Sequence, residues 1–216
     1  MAQIASQQNP SDQHDRGLRA LLTLPQVYDG FQTLIGGDRY RRWYIDTQMQ
    51  PQPGWSVLDI GCGPATMLRF LPRGVRYVGF DMNSRYIEHA RKRFGGRGQF
   101  HAMRVGDARV QEGGCDVVMA NAILHHLDDG EAAHLIDIAY KQLKPGGFLL
   151  TYDNAWVPEQ SRAARYLIGR DRGQHVRTPA QYLALVQARF SDVTTTLRHD
   201  GYRIPYTLFT MRAVRT

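Results

Sequence analysis

Lysine is almost missing from this chain: Lys92, Lys141 and Lys144 are the only three among 27 basic residues. Cysteine is scarcer still. Cys62 and Cys115 both fall in apolar stretches, so two buried reduced thiols are expected, and neither a disulfide framework nor a metal site is. Runs of 18 or more apolar residues are also lacking, which excludes a helical membrane span. The first fifteen residues, MAQIASQQNPSDQHD, have no apolar signal-peptide centre, which gives the cytoplasm as the expected location.

What is present suits one globular domain. The chain has 216 residues, 43% hydrophobic and 22% charged, enough to bury its own core. Its net charge of +7 is unevenly placed. Residues 154–216 carry ten arginines against four acids, a net +6, leaving only +1 for the first 153 residues. Arginine dominance is either a compositional bias of the source or a sign of an anionic acceptor, since guanidinium forks pair with phosphate and carboxylate.

The chain is organised around residues 56–66, SVLDIGCGPAT. Val57, Leu58 and Ile60 read as a buried parallel strand that breaks through Gly61-Cys62-Gly63 into a helix expected over 64–71, with Pro64 at its first position. Such a turn brings bare backbone close to a ligand. Upstream, residues 1–15 are polar and expected to be disordered, and 16–53 are expected to form a helical cover or lid. Leu18, Leu21 and Leu22 share a face before Pro25, and a second helix starts near Asp38 and carries Tyr40, Trp43 and Tyr44. Downstream of Gly54, strands are expected at 75–80, 99–104, 115–120 and 148–152, alternating with helices. Asn83 or Ser84 caps one helix, and Asp128 with Glu131 forms a capping pair for another. Lys144-Pro145-Gly146-Gly147 ends that helix. Further helices are expected at 159–168 and 178–188, then strands near 192–199 and 203–214 joined by an Asp200-Gly201 hairpin turn.

This alternation predicts an α/β fold: a doubly wound, mostly parallel seven-stranded sheet of five parallel strands plus a C-terminal antiparallel hairpin. Residues 54–216 form the main unit, with an insertion on the acceptor side at about 154–190. Asp59, Asp81, Asp107 and Asn121 fall at the carboxyl ends of successive strands. Any one of them could be a turn former, but together they line one sheet edge. Asp81 follows Gly61 by 20 residues, the spacing of a carboxylate that holds ribose hydroxyls, so an adenosine-like cofactor is expected.

The segments VLDIGCGPATML, YVGFDMN, GDA, VVMANAILHHL and LKPGGFLLTYD resemble, in order and spacing, the motifs of class I S-adenosylmethionine-dependent methyltransferases of the small-molecule type. The resemblance covers residues 54–153, and the terminal hairpin fits it too. It implies that S-adenosylmethionine is bound, and S-adenosylhomocysteine released, by Asp59, Gly61, Cys62, Gly63, Asp81, Met82, Asp107, Ala108 and Asn121. Tyr28 and Arg41 of the cover are added to that set. One departure is Ala65, where many members have glycine. A nicotinamide oxidoreductase fits less well: its G-x-G-x-x-G pattern needs glycine at Thr66 and places no acid at Asp59.

Methyl transfer from a sulfonium depends on alignment, which supplies roughly 7–11 kcal/mol, and a hydroxyl or ammonium acceptor also needs a base. The candidate bases are His126, His125 and Asp153, with one of the adjacent histidines expected to point away and pack. Trp43, Arg172, His175 and Arg177 are the candidate acceptor contacts, forming with Arg170 a clamp for an anionic group. The Asn/Asp-Pro-Pro-aromatic pattern of nucleic-acid methyltransferases is missing after the fourth strand. A small anionic or hydroxylated acceptor is therefore expected rather than nucleic acid. An RNA-modifying enzyme and a non-catalytic cofactor-binding protein are the alternatives.

Overall fold

The computed structural model describes residues 34–104, 114–171 and 173–216. Tyr28, Asp107, Ala108 and Arg172 lie outside the described residues, as do the expected tail and the helix expected before Pro25. The described chain begins with α1 (Gly37–Trp43), which runs on as a wider π-helical segment, Tyr44–Met49. The strands are β1 (Ser56–Ile60), β2 (Arg76–Asp81), β3 (Gly98–Ala102), β4 (Cys115–Met119), β5 (Leu143–Asn154), β6 (Asp192–Arg198) and β7 (Leu208–Val214). Between them lie α2 (Ser84–Phe94), α3 (Asp129–Gln142), α4 (Arg162–Gly169) and α5 (Pro179–Gln187).

The strands form one sheet in the order β3-β2-β1-β4-β5-β7-β6, with β7 antiparallel to both its neighbours. Strand order reverses between β1 and β4, so a crevice opens there beyond the carboxyl ends. Along each central strand, side chains alternate between two apolar layers. Val57, Met119 and Leu150 face one layer with Tyr40, Tyr44, Ile87 and Ala90. Leu58, Val118 and Leu149 face the other, with Ile136 and Ala139 of α3 and Tyr182 of α5. Burial on both faces is why these strands read as unbroken apolar runs.

Caps follow their residue types. The Asn83 side chain accepts from the N–H groups of Arg85 and Tyr86, Asp128 and Glu131 form the reciprocal box on α3, and Thr178 and Gln181 form another on α5.

Three local expectations are corrected. No helix spans 64–71; only a short 3-10 turn, Thr66–Arg69, forms. Gly63 and Ala65 both hold left-handed conformations, so the chain is still turning at Pro64, and Pro72 limits what can follow. The Asp200-Gly201 pair does not close a tight hairpin. Strand pairing stops at Arg198 and resumes at Leu208, and 199–207 forms a broad loop. Arg198 grips the Asp200 carboxylate (2.7 and 2.9 Å), and the Arg203 N–H bonds Ile35 O, tying the loop to the N-terminal segment. Finally, Lys144–Gly147 is not a plain turn before a strand at 148. It is a bulge inside the longer β5, where Cys115 pairs with Leu143 but Val117 pairs with Phe148.

That bulge needs glycine. A Cβ on Gly147 would sit 3.0 Å from the backbone oxygens of Cys115, Asp116 and Lys144. Gly147→Ala is expected to destabilise the protein by about 1–3 kcal/mol in urea unfolding, because backbone cannot step aside as a side chain can.

Candidate functional site

The crevice at the strand reversal is a cavity of about 1080 Å³. Its floor at one end is the turn after β1. Gly61 and Gly63 are at φ 72° and 55°, and a Cβ on Gly63 would meet nothing within 4 Å, so this backbone faces open space. The N–H groups of Gly61 and Cys62 donate to Phe80 O of β2 (2.8 and 2.9 Å), and the Gly63 N–H donates to Asp81 Oδ2 (2.9 Å). Asp81 Oδ1 accepts from the Asn83 N–H (2.7 Å), while each carboxylate oxygen keeps a second lone pair. Met82, 61% exposed, stands beside it on the cavity wall.

Asp59 lies beneath the turn, buried, and accepts from Tyr77 Oη at 2.6 Å. Burial pushes its carboxyl up to about 7, the Tyr77 bond resists this, and the charge of Asp81 adds to it. The Cys62 thiol is raised by burial and remains protonated. Asn121 accepts from Tyr44 Oη, and its buried Nδ2 has no hydrogen-bond partner among the described residues. Arg41 also lines the cavity, paired with Asp38 at 3.2 Å.

The opposite end is built by His125, His126, Asp153 and Asp171. His125 Nδ1 is 2.7 Å from Asp153 Oδ1, which also accepts the His125 backbone N–H, and His125 Nε2 is 3.5 Å from Asp171 Oδ1. Desolvation opposes the imidazolium, yet the two carboxylates outweigh it and lift His125 to about 9. At neutral pH that ring holds a proton, so it is a poor base. Asp153 is committed to the same pair. One of the adjacent histidines does pack, as expected, since His125 is buried between Asp153 and Asp171. The expectation that the two point apart is corrected, because the rings lie 4.1 Å apart and both reach the cavity wall. A short 3-10 turn, Leu124–His126, holds them together.

The expected acceptor contacts fare differently. Arg170 lines the cavity, but Trp43, His175 and Arg177 do not. Trp43 carries the Arg198 guanidinium on its ring at 4.3 Å. His175 is exposed, and its N–H donates to His125 O. Arg177 is buried and donates to the carbonyls of Leu124, Leu127 and His175 and to the Asp129 carboxylate, so its guanidinium is a structural cross-link. Sequence reasoning singles out none of Tyr77, Asp171 and Tyr206 as site residues. Tyr77 had a signal, since a hydroxyl buried on a strand must find an acceptor. Asp171 and Tyr206 meet only because the 199–207 loop reaches the α4–α5 connection.

The Asp59 site makes a pH prediction. Its folded carboxyl titrates near 7, above the ordinary 3.8, so its share of stability is complete below about pH 4 and is lost as pH rises through 7. Asp59→Asn is expected to raise the unfolding free energy from urea titration by on the order of 1–4 kcal/mol at pH 8, and by much less at pH 4, where the carboxyl is protonated in the folded protein and largely so in the unfolded chain. An equal effect at both pH values would contradict the assignment.

Comparison with known proteins places this geometry. Residues 57–147 match the family model of a methyltransferase domain. Phosphoethanolamine N-methyltransferase 1 of Arabidopsis thaliana is 25% identical over 212 residues, covering 90% of this chain and 43% of that protein. An uncharacterized methyltransferase of Mycobacterium tuberculosis is 33% identical over 88 residues, 39% of this chain and 44% of that one. The chain spans about two-fifths of the length of the first curated relatives it matches. In fold it resembles Haemonchus contortus phosphoethanolamine N-methyltransferase 2, solved with phosphomonomethylethanolamine and S-adenosylhomocysteine. The TM-score is 0.71 at 14% identity, over 91% of this chain and 58% of that one. The motif order, the sheet and the family match agree: residues 57–147 are similar to a methyltransferase domain, and the sheet has the fold of the solved methyltransferase it resembles.

Proposed function

We propose that this protein transfers a methyl group from S-adenosylmethionine to a small metabolite bound in the same cavity. The observation that carries this reading is the cavity itself. At about 1080 Å³ it exceeds the roughly 300–1,000 Å³ that serves one small ligand, so it has room for a cofactor and a second small molecule.

The residues present fit the cofactor. The bare surface of Gly63, the carboxylate of Asp81 and the unpartnered Asn121 Nδ2 are respectively a close-approach surface, an acceptor for vicinal hydroxyls and a spare donor. Asp59 beneath the turn offers a buried negative charge toward a cationic amino-acid end, and Met82 an apolar surface for adenine. When bound, S-adenosylmethionine supplies an electrophilic methyl on a sulfonium. The chain's own part is to hold it and align an acceptor. Asp107, Ala108 and Tyr28 keep their proposed cofactor roles on sequence grounds alone.

The acceptor end supports a small molecule of mixed charge. Arg170 and Arg41 bring cationic groups to the wall, while Asp153, Asp171 and Glu131 bring carboxylates. An amine or hydroxyl carrying a phosphate or carboxylate suits both sets, and the Arabidopsis relative is named for such an acceptor. The wall also includes Ile35 from the N-terminal segment and Tyr202, Ile204 and Tyr206 from the 199–207 loop. Of the three groups read as bases, His126 is the one whose side chain is exposed along the cavity.

Two measurements test this. Asp81→Ala is expected to weaken S-adenosylhomocysteine binding in calorimetry by about 1–3 kcal/mol through unpaired ribose hydroxyls, and unchanged affinity would refute the assignment. A turnover screen of small amino- and hydroxyl-bearing phosphates and carboxylates, with bulk RNA alongside, is expected to give product only with a small acceptor. Methylation of RNA, with binding that falls steeply in salt, would favour a nucleic-acid substrate instead.

A further inference from the structure

The histidine–carboxylate end of the cavity is more elaborate than acceptor alignment requires. One atom each from His125, His126 and Asp171 lies within 4.8 Å of the others. His125 Nε2 and Asp171 Oδ1 are 3.5 Å apart, long for a good hydrogen bond but close to the roughly 3.4 Å that separates two ligand atoms on a tetrahedral ion with bonds of about 2.1 Å. We propose that His125, His126 and Asp171 bind a divalent transition-metal ion.

The surroundings are those of a ligand set. His125 gives its other ring nitrogen to Asp153 at 2.7 Å, which fixes the ring so that Nε2 turns toward Asp171. A carboxylate behind a metal-binding histidine is the usual way such a ring is oriented. Asp153 is fully buried, and its second oxygen has no hydrogen-bond partner among the described residues. Asp171 is fixed in turn: the Gly173 N–H donates to Oδ1 at 3.0 Å and Tyr206 Oη donates to Oδ2. Gly173 packs so tightly on His125 that a Cβ would lie 2.1 Å from its ring, which holds the Asp171 segment against the histidines. His126 is exposed on the cavity wall, on the same side as His125 and Asp171.

Ligand chemistry selects the ion. Two imidazoles and one carboxylate suit Zn²⁺, Fe²⁺, Co²⁺ or Mn²⁺, whereas Mg²⁺ and Ca²⁺ prefer all-oxygen shells. A divalent ion with two neutral imidazoles and the carboxylates Asp153 and Asp171 is charge-balanced. Three protein ligands leave positions open toward the cavity, where an oxygen of an anionic or hydroxylated acceptor can bind. In that arrangement His126 would be a ligand and not a base, because the ring lone pair that accepts a proton would be the one given to the ion. The site does not depend on methyl transfer, since metal affinity is read without any acceptor.

The test uses the full chain stripped with chelator. Calorimetry with Zn²⁺ is expected to show one equivalent bound with Kd below about 10 μM, and Co²⁺ to give visible bands of an N/O site of low coordination number. His126→Ala and Asp171→Asn should each weaken binding about 10–100-fold, while His175→Ala, outside the cavity, should not. Retained S-adenosylhomocysteine affinity in the variants separates this outcome from failure of the methyltransferase reading. Absence of binding, or affinity untouched by both substitutions, would overturn the site and leave His125 as an ion-pair tether between Asp153 and Asp171.

Discussion

The Gly63 N–H bond to Asp81 is the contact on which the site depends. It joins the turn after β1 to the end of β2, and so sets the distance between the bare glycine backbone and a half-buried carboxylate. Parallel pairing of β1 with β2 holds both in register, Asp59 beside Gly79 and Ile60 beside Phe80. The chain turns here through left-handed conformations at Gly61, Gly63 and Ala65, and at the two glycines no side chain projects from the turn.

A second constraint is electrostatic. Asp59, Asp81, Asp153 and Asp171 line one cavity, three of them with carboxyls raised by burial. Such a concentration of acid is costly unless something cationic faces it. At one end that role suits an ammonium; at the other, His125 fills it and lies between two carboxylates. The +7 net charge of the chain is therefore a poor guide to the inside of its cavity.

The third is the wall contributed by distant segments. Tyr40 and Tyr44 pack edge-on against Tyr152 of β5, and Tyr40 Oη bonds Thr210 Oγ1 of β7, which docks the N-terminal segment over the sheet. The 199–207 loop follows it through Arg203 and brings Tyr206 to Asp171. A broad loop in place of a two-residue hairpin is what lets the C-terminal strands contribute to the site at all.

The sequence by itself determined the sheet, most helix starts, and the cluster of Asp59, Gly61, Gly63, Asp81 and Asn121 at one edge. These follow from local rules: apolar runs become buried strands, Asn83, Asp128 and Thr178 cap helices, and polar residues at strand ends must share an edge in a parallel sheet. Tertiary structure alone decided that Arg177 is a cross-link, that Trp43 stacks on Arg198 away from the cavity, and that His125 and His126 stay side by side. It also decided that Asp171 and Tyr206, 35 positions apart, meet. Spacing along the chain carries no information about such contacts. They are set by which buried donor finds which buried acceptor once the layers have closed, because an unpaired polar group there costs more than almost any detour of the loop that satisfies it.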